Sequence, residues 1–381
     1  MEHVHVVNGA AFLTPEQFAR EQGQRMVSTR GRLIIASCRS GSHLARSVVT
    51  RYRELTEEAG GSAEVLFLAD VEHSFSDTET GVRLAEHVGG YDVFVFQALY
   101  DPSSPRDIDS NYMAFLIATR TLREHGANHV TGVLPYLAYA RQDKPTRFQR
   151  EPTTARLMAD LAIAAGIDRL VSWHPHSGQV RGFYGSLPVS FLEALGLFVE
   201  EFESFRGRSD VVAVAPDLGA SKFVTYFGRA LGLPVALASK HRPRPEVSVV
   251  TEVIGDLADK RVAIVLDDMI SGGGTIYGVT RELVEHHGID EVYVMASHGL
   301  CVGPAVDRLQ ELHERYGLRQ VVVTDSVPQT DAFRALPFVK VCSLADPLAW
   351  AINRIHYHRS LSEVFDRPIL EATRGAEEDA L

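Results

Sequence analysis

With 381 residues, 45% hydrophobic content and a formal charge of −11, the chain is globular and long enough for about two domains. Its acidic balance argues against a general nucleic-acid binder, and no apolar run approaches the length of a bilayer span. The opening MEHVHVVNGA lacks the basic then apolar layout of a signal peptide, so a cytoplasmic protein is expected.

In chain order, residues 1–30 show weak periodicity and read as an added segment. Short apolar runs then alternate with longer helical patterns, which predicts βαβ units and mainly parallel sheets. Strands are expected at Arg32–Ala36, Val65–Leu68, Val93–Gln97, Val130–Leu134 and Leu170–Trp173, with helices near His43–Leu55, Asp109–His125 and Thr153–Ala165. The pattern restarts with strands near Val211–Ala215, Val235–Ala238, Val262–Leu266, Val292–Ala296 and Val321–Thr324. Helices near Ala220–Leu231, Ile276–His287 and Pro304–Tyr316 lie between them. Two similar α/β domains follow, without a close sequence repeat, and 371–381 reads as an acidic tail. Cys38, Cys301 and Cys342 are odd in number and widely spaced in apolar surroundings, which fits reduced core thiols better than disulfides or a CxxC metal site.

Chemistry concentrates in a few segments. Arg141, Lys144, Arg147, Arg150 and Arg156 form one basic cluster, and Lys240, His241, Arg242 and Arg244 another. Two cationic patches in an acidic chain suggest a small polyanionic ligand. In IVLDDMISGGGTI, a buried strand ends in Asp267 and Asp268 and turns through Gly272, Gly273 and Gly274. Backbone amides of such a turn at a helix start hold phosphate. The two carboxylates can accept hydrogen bonds from ribose hydroxyls or hold water around Mg²⁺. Alone, the segment is also compatible with an ordinary strand-to-helix connection carrying an acidic cap.

Nine segments in one order resemble the ribose-phosphate pyrophosphokinase (phosphoribosyl pyrophosphate synthetase) family over about Leu33 to Phe365. In the first half they are FSDTET (Phe75–Thr80), LPYLAYARQDK (Leu134–Lys144), REPTTARLMADL (Arg150–Leu161) and HSGQVRGFY (His176–Tyr184). The second half adds APDLGA (Ala215–Ala220), KHRPRP (Lys240–Pro245), LDDMISGGGT (Leu266–Thr275), ASHGL (Ala296–Leu300) and VTDSVP (Val323–Pro328). The resemblance implies two phosphoribosyltransferase-like (type I) α/β domains, 31–188 and 189–370, after the 1–30 extension. It also implies transfer of the diphosphoryl group of ATP to the 1-hydroxyl of ribose 5-phosphate.

By the same resemblance, Lys240 and Arg242 stabilise the transition state on a mobile loop; Arg gives a planar fork to phosphate where Lys gives a point charge. Phe75, Asp77, Glu79, Arg141, Gln142 and Asp143 bind ATP, the first three reaching across from a neighbouring subunit of a homo-oligomer. Asp267, Asp268, Ser271, Gly272, Gly273, Gly274 and Thr275 bind ribose 5-phosphate. His176 and Asp217 are the protein ligands to the Mg²⁺ on ATP, with no nucleic-acid or membrane partner.

Departures from the family pattern stand at His174, where aspartate is usual, at Ser271 and Gly272, at Phe223 in place of a frequent arginine, and at Ala220 in place of glycine. A second imidazole at His174 opens the metal site to Mn²⁺. Two rival readings are a catalytically silent synthetase-associated subunit and a phosphoribosyltransferase. The presence of both Lys240 and Arg242 argues against the first, and ARQDK, FSDTET and His176 against the second.

Overall fold

The short apolar runs become the inner strands of two sheets. The computed structural model of the protein describes residues 6, 7, 10, 11, 28–62, 64–244 and 247–362; of 6, 7, 10, 11, 240–244 and 247–251 it describes only the backbone. Strands β1 (Val6–Val7) and β2 (Ala10–Ala11) form a small antiparallel pair. The acidic tail at 371–381 lies outside the described residues.

The first sheet comprises β3 (Leu33–Ser37), β4 (Leu66–Leu68), β7 (Asp92–Phe96), β8 (His129–Val133), β9 (Arg169–Trp173) and β10 (Val189–Leu192). Its order is β10-β9-β8-β7-β3-β4 and every pairing is parallel. Between β4 and β7 a separate antiparallel hairpin, β5 (Glu72–Ser74) and β6 (Thr80–Val82), carries FSDTET at its turn. Helices α1 (Ser42–Glu58), α2 (Ile108–Glu124) and α3 (Thr154–Ala165) belong to this half. The Asp107 carboxylate caps α2, accepting from the Ser110 amide at 2.8 Å, and Gly166 ends α3 with φ near 109°.

After α4 (Leu195–Glu201) comes the second sheet: β11 (Val211–Ala215), β12 (Val235–Arg244), β13 (Val247–Ile254), β14 (Val262–Ile270), β15 (Glu291–Gly299), β16 (Leu318–Thr324) and β17 (Val339–Cys342). The order is β13-β12-β11-β14-β15-β16-β17, parallel except for the β12–β13 edge hairpin. Helices α5 (Ser221–Leu231), α6 (Gly274–His287), α7 (Ala305–Arg315), α8 (Asp331–Arg334) and α9 (Ala345–His356) complete it. The expected strands and helices all recur within a few residues, and β12, β14 and β15 run further than their apolar cores.

Each sheet has its own apolar cluster, and a third spans the two. In that one Leu44 and Val48 of α1, Trp173 and Phe198 meet Phe227, Leu348, Ile352 and Ile355. Helix α9 thus leaves the second sheet and packs on α1 of the first half, with Arg51 and Asp346 paired at 2.6 Å. The buried Asp92 carboxylate accepts from Arg30 Nε at 3.0 Å and His356 Nδ1 at 2.8 Å, tying the segment before β3 and the end of α9 to β7. Because β10 pairs with β9, we propose that the domain division lies after Leu192 rather than between 188 and 189. Cys38, Cys301 and Cys342 are free thiols, as expected, with Cys38 and Cys342 buried.

Candidate active site

Strand β14 carries its apolar side chains to full burial and then continues through the acidic pair. Asp267 is buried, and one of its oxygens accepts from the Asp268 amide at 2.9 Å. The chain then turns through Ser271, Gly272 and Gly273, and α6 begins at Gly274. Gly273 has φ near 71°, and a Cβ there would stand 3.3 Å from the Ala305 backbone. Only glycine meets both demands. The amides of the turn and of the first helical residues make this a place for an anion.

Across from the acidic pair stands His176, on the segment after β9. Its Nδ1 donates to Asp268 Oδ2 at 2.6 Å, joining the two halves of the chain. Burial is the largest single influence on the Asp268 carboxyl and would raise it, but the hydrogen bond and charge of His176, joined by Asp267 and His298, together outweigh it and hold the group well below the usual carboxylate range. The same bond raises the His176 imidazole above its ordinary value. Asp217 precedes α5 and accepts from the amides of Gly219 (2.9 Å) and Ala220 (3.2 Å).

A cavity of about 140 Å³ is lined by Arg141, His176, Asp217, Asp267, Asp268 and 269–276. One cleft therefore gathers the expected sugar-phosphate residues, both expected metal ligands and Arg141. The remaining expected ATP residues do not line it. Gln142 Oε1 accepts from Thr154 Oγ1 at 2.6 Å, and Asp143 Oδ2 accepts from Ser177 Oγ at 2.7 Å, so Asp143 braces the His176 segment from behind. Phe75, Asp77 and Glu79 lie at the hairpin turn, with Phe75 half exposed and its ring edge-on to His73. The Lys240 and Arg242 side chains lie outside the described residues. Their backbone is part of β12 and pairs with β13, Lys240 opposite Val250.

His174 departs from its expectation. Its ring is half-buried, tilted over Phe223 with centroids 4.6 Å apart, and Nδ1 lies 2.5 Å from Ser297 Oγ. It adds no donor to the cleft, which removes the reason to expect Mn²⁺. The departures at 174 and 223 are thus one contact, an apolar aromatic pair. Sequence reading missed His298, which is buried and whose Nε2 donates to the His174 carbonyl at 3.1 Å.

Burial pushes both His174 and His298 down to about 4. Between that value and the ordinary value of about 6.5 the unfolded chain binds more protons than the folded one. Their contribution to stability is therefore complete above about pH 6.5 and lost as pH falls towards 4. Urea unfolding is expected to show about 3 kcal/mol less stability at pH 5 than at pH 7. Equal stability at the two values would refute neutral burial.

Residues 33–166 match the family described as the N-terminal domain of ribose phosphate pyrophosphokinase, and 212–366 match the phosphoribosyl synthetase-associated domain. A curated ribose-phosphate pyrophosphokinase of Caldanaerobacter subterraneus subsp. tengcongensis is 37% identical over 313 residues, covering 82% of this chain and 93% of the relative. That of Clostridium tetani is 34% identical over 345 residues, covering 90% of this chain and 99% of the relative. The crystal structure of phosphoribosylpyrophosphate synthetase from Mycobacterium smegmatis superposes with a TM-score of 0.71 at 34% identity, covering 85% of this chain and 98% of that one. Likeness of this extent in sequence and in fold places the chain in the ribose-phosphate pyrophosphokinase family.

Proposed function

We propose that the protein is an active ribose-phosphate diphosphokinase. The 1-oxygen of ribose 5-phosphate attacks the β-phosphorus of ATP, and the bond from that phosphorus to the α,β-bridging oxygen breaks. The hydroxyl proton passes to solvent, and phosphoribosyl pyrophosphate and AMP leave. The observation that carries this reading is the 2.6 Å His176–Asp268 bond, which sets the wall assigned to the nucleotide against the acidic pair and glycine turn.

In this reading the turn 271–275 holds the 5-phosphate, and Asp267 and Asp268 orient the ribose hydroxyls. Arg141, Gln142 and Asp143 serve ATP. Lys240 and Arg242 stabilise charge on the transferring group, so that no strong general base is needed. Among the described residues no three metal-ligating side chains converge into a protein-only site. Two donors, His176 and Asp217, on a cleft open to phosphate oxygens fit Mg²⁺ arriving with ATP, because that ion takes few protein ligands and keeps its waters. When bound, Mg²⁺ would neutralise developing phosphate charge. No helix among the described residues is long and apolar enough to cross a membrane, and we place the protein in the cytoplasm.

The test is a product assay with ATP, ribose 5-phosphate and Mg²⁺, following both products by mass spectrometry. Equal, sugar-dependent amounts of AMP and phosphoribosyl pyrophosphate are expected. Folded, ATP-binding protein that yields no AMP would overturn the reading in favour of a silent subunit.

The exposed Phe75 hairpin, which does not line its own cleft, supports an ATP site completed by a second copy. Phe75→Ala is expected to raise KM for ATP about tenfold, the scale of one lost ring-on-base stack, with KM for the sugar unchanged. Light scattering that finds fully active monomers at assay concentration would dispose of the shared site.

A further inference from the structure

The turn that faces the sugar phosphate is held from behind by one segment. The Ile270 carbonyl accepts from the amides of Leu300 (3.0 Å) and Cys301 (2.9 Å), and the Ser271 carbonyl from that of Val302 at 3.1 Å. The third carbonyl in succession, Gly272, accepts from a side chain instead, Nη1 of Arg308 on α7. In a trans peptide the C=O and the following N–H point in opposite directions. Three carbonyls turned towards 300–308 therefore send the amides of Ser271, Gly272 and Gly273 to the opposite face, which lines the cleft.

Glycine at 272 makes this anchorage matter. Without a side chain that position has the widest choice of backbone conformations, and fixing it costs entropy on binding unless it is fixed beforehand. Arg308 is half-buried, and its Nη1 also passes 3.5 Å from where a Cβ of Gly274 would stand. It thus spans the back of the turn from its apex to the first residue of α6.

We propose that Arg308 is a positioning residue for the 5-phosphate, acting through the Gly272 carbonyl to hold the turn amides in their anion-binding arrangement. This rests on the assignment of the turn to a sugar phosphate. It predicts that loss of Arg308 weakens recognition of the sugar phosphate selectively, leaving the nucleotide side of the cleft as it was.

The experiment uses the full chain as wild type, Arg308→Met and Arg308→Lys, each checked for folding by thermal melting. Calorimetric titration with inorganic phosphate and with ribose 5-phosphate is combined with steady-state kinetics in both substrates. Arg308→Met is expected to raise the sugar-phosphate Kd and KM about tenfold or more, the scale of a lost charge-assisted hydrogen bond. KM for ATP should stay within about twofold and kcat within about threefold, with Arg308→Lys in between. Unchanged phosphate and sugar-phosphate affinity in folded Arg308→Met overturns the inference, as does an equal rise in KM for ATP. Wild type that binds phosphate but forms no product overturns the functional reading alone, and the phosphate titration still decides the role of Arg308.

Discussion

Replacing Asp268 by asparagine is expected to lower kcat/KM for ribose 5-phosphate at least about a hundredfold while the protein stays folded. Asparagine keeps the shape of the side chain and one carbonyl oxygen, so the packing around β14 is preserved. What disappears is the charge. Asp268 holds the proton donor His176 at 2.6 Å and so bridges the two walls of the cleft. A neutral amide loses most of the attraction that fixes His176, and its NH₂ group cannot accept from a ribose hydroxyl. The raised imidazole should fall back towards its ordinary value, because this hydrogen bond does most to raise it. An NMR titration of His176 in the variant reads that shift directly. Kinetics like those of wild type, with His176 unmoved, would show that the bond plays no part in assembling the site.

Lys240→Ala and Arg242→Ala are each expected to cut kcat about a hundred- to a thousandfold, with little change in KM for either substrate. Diphosphoryl transfer spreads negative charge over the equatorial oxygens of the moving group, and that charge is greater at the transition state than in bound ATP. Fixed cations that meet it there act on kcat. Their backbone lies on an edge hairpin with register shifts on both sides of the Lys240–His241 pairings. Such irregularities re-aim side chains from the regular alternation of a strand. Arg242→Lys should recover less than the full rate, since one ammonium cannot reproduce a two-pronged contact with phosphate oxygens. Steady-state kinetics of the three variants decide the matter, and undiminished turnover in either alanine variant would remove that residue from the mechanism.

The strand and helix alternation was legible because buried parallel strands leave short runs such as VVAVA at 211–215, which became β11 without change. What went unseen has identifiable causes. The β5 and β6 strands are three residues each, so the Ser, Asp and Thr of the intervening turn dominated the reading. Strand β13 and helix α9 carry ordinary patterns, the latter with Leu348, Ile352 and Ile355 on one face, but lie outside the motif-bearing segments. At the site, local sequence showed the acidic pair and the turn. It showed nothing of pairings made by distant parts of the chain: His176 to Asp268, Arg308 to Gly272, or His174 against Phe223. The last pair explains two departures that looked separate in one dimension. A histidine where aspartate is usual reads as a possible ligand until its ring is seen among Phe198, Phe223 and Ser297.

The placement of α9 on α1 bears on how the molecule comes apart. Helix α9 serves as cover for the first sheet's half, and the apolar cluster beneath it includes side chains from both sheets. Unfolding either half would strip the other of part of its interior, so the two halves, distinct in architecture, are expected to melt in one cooperative transition.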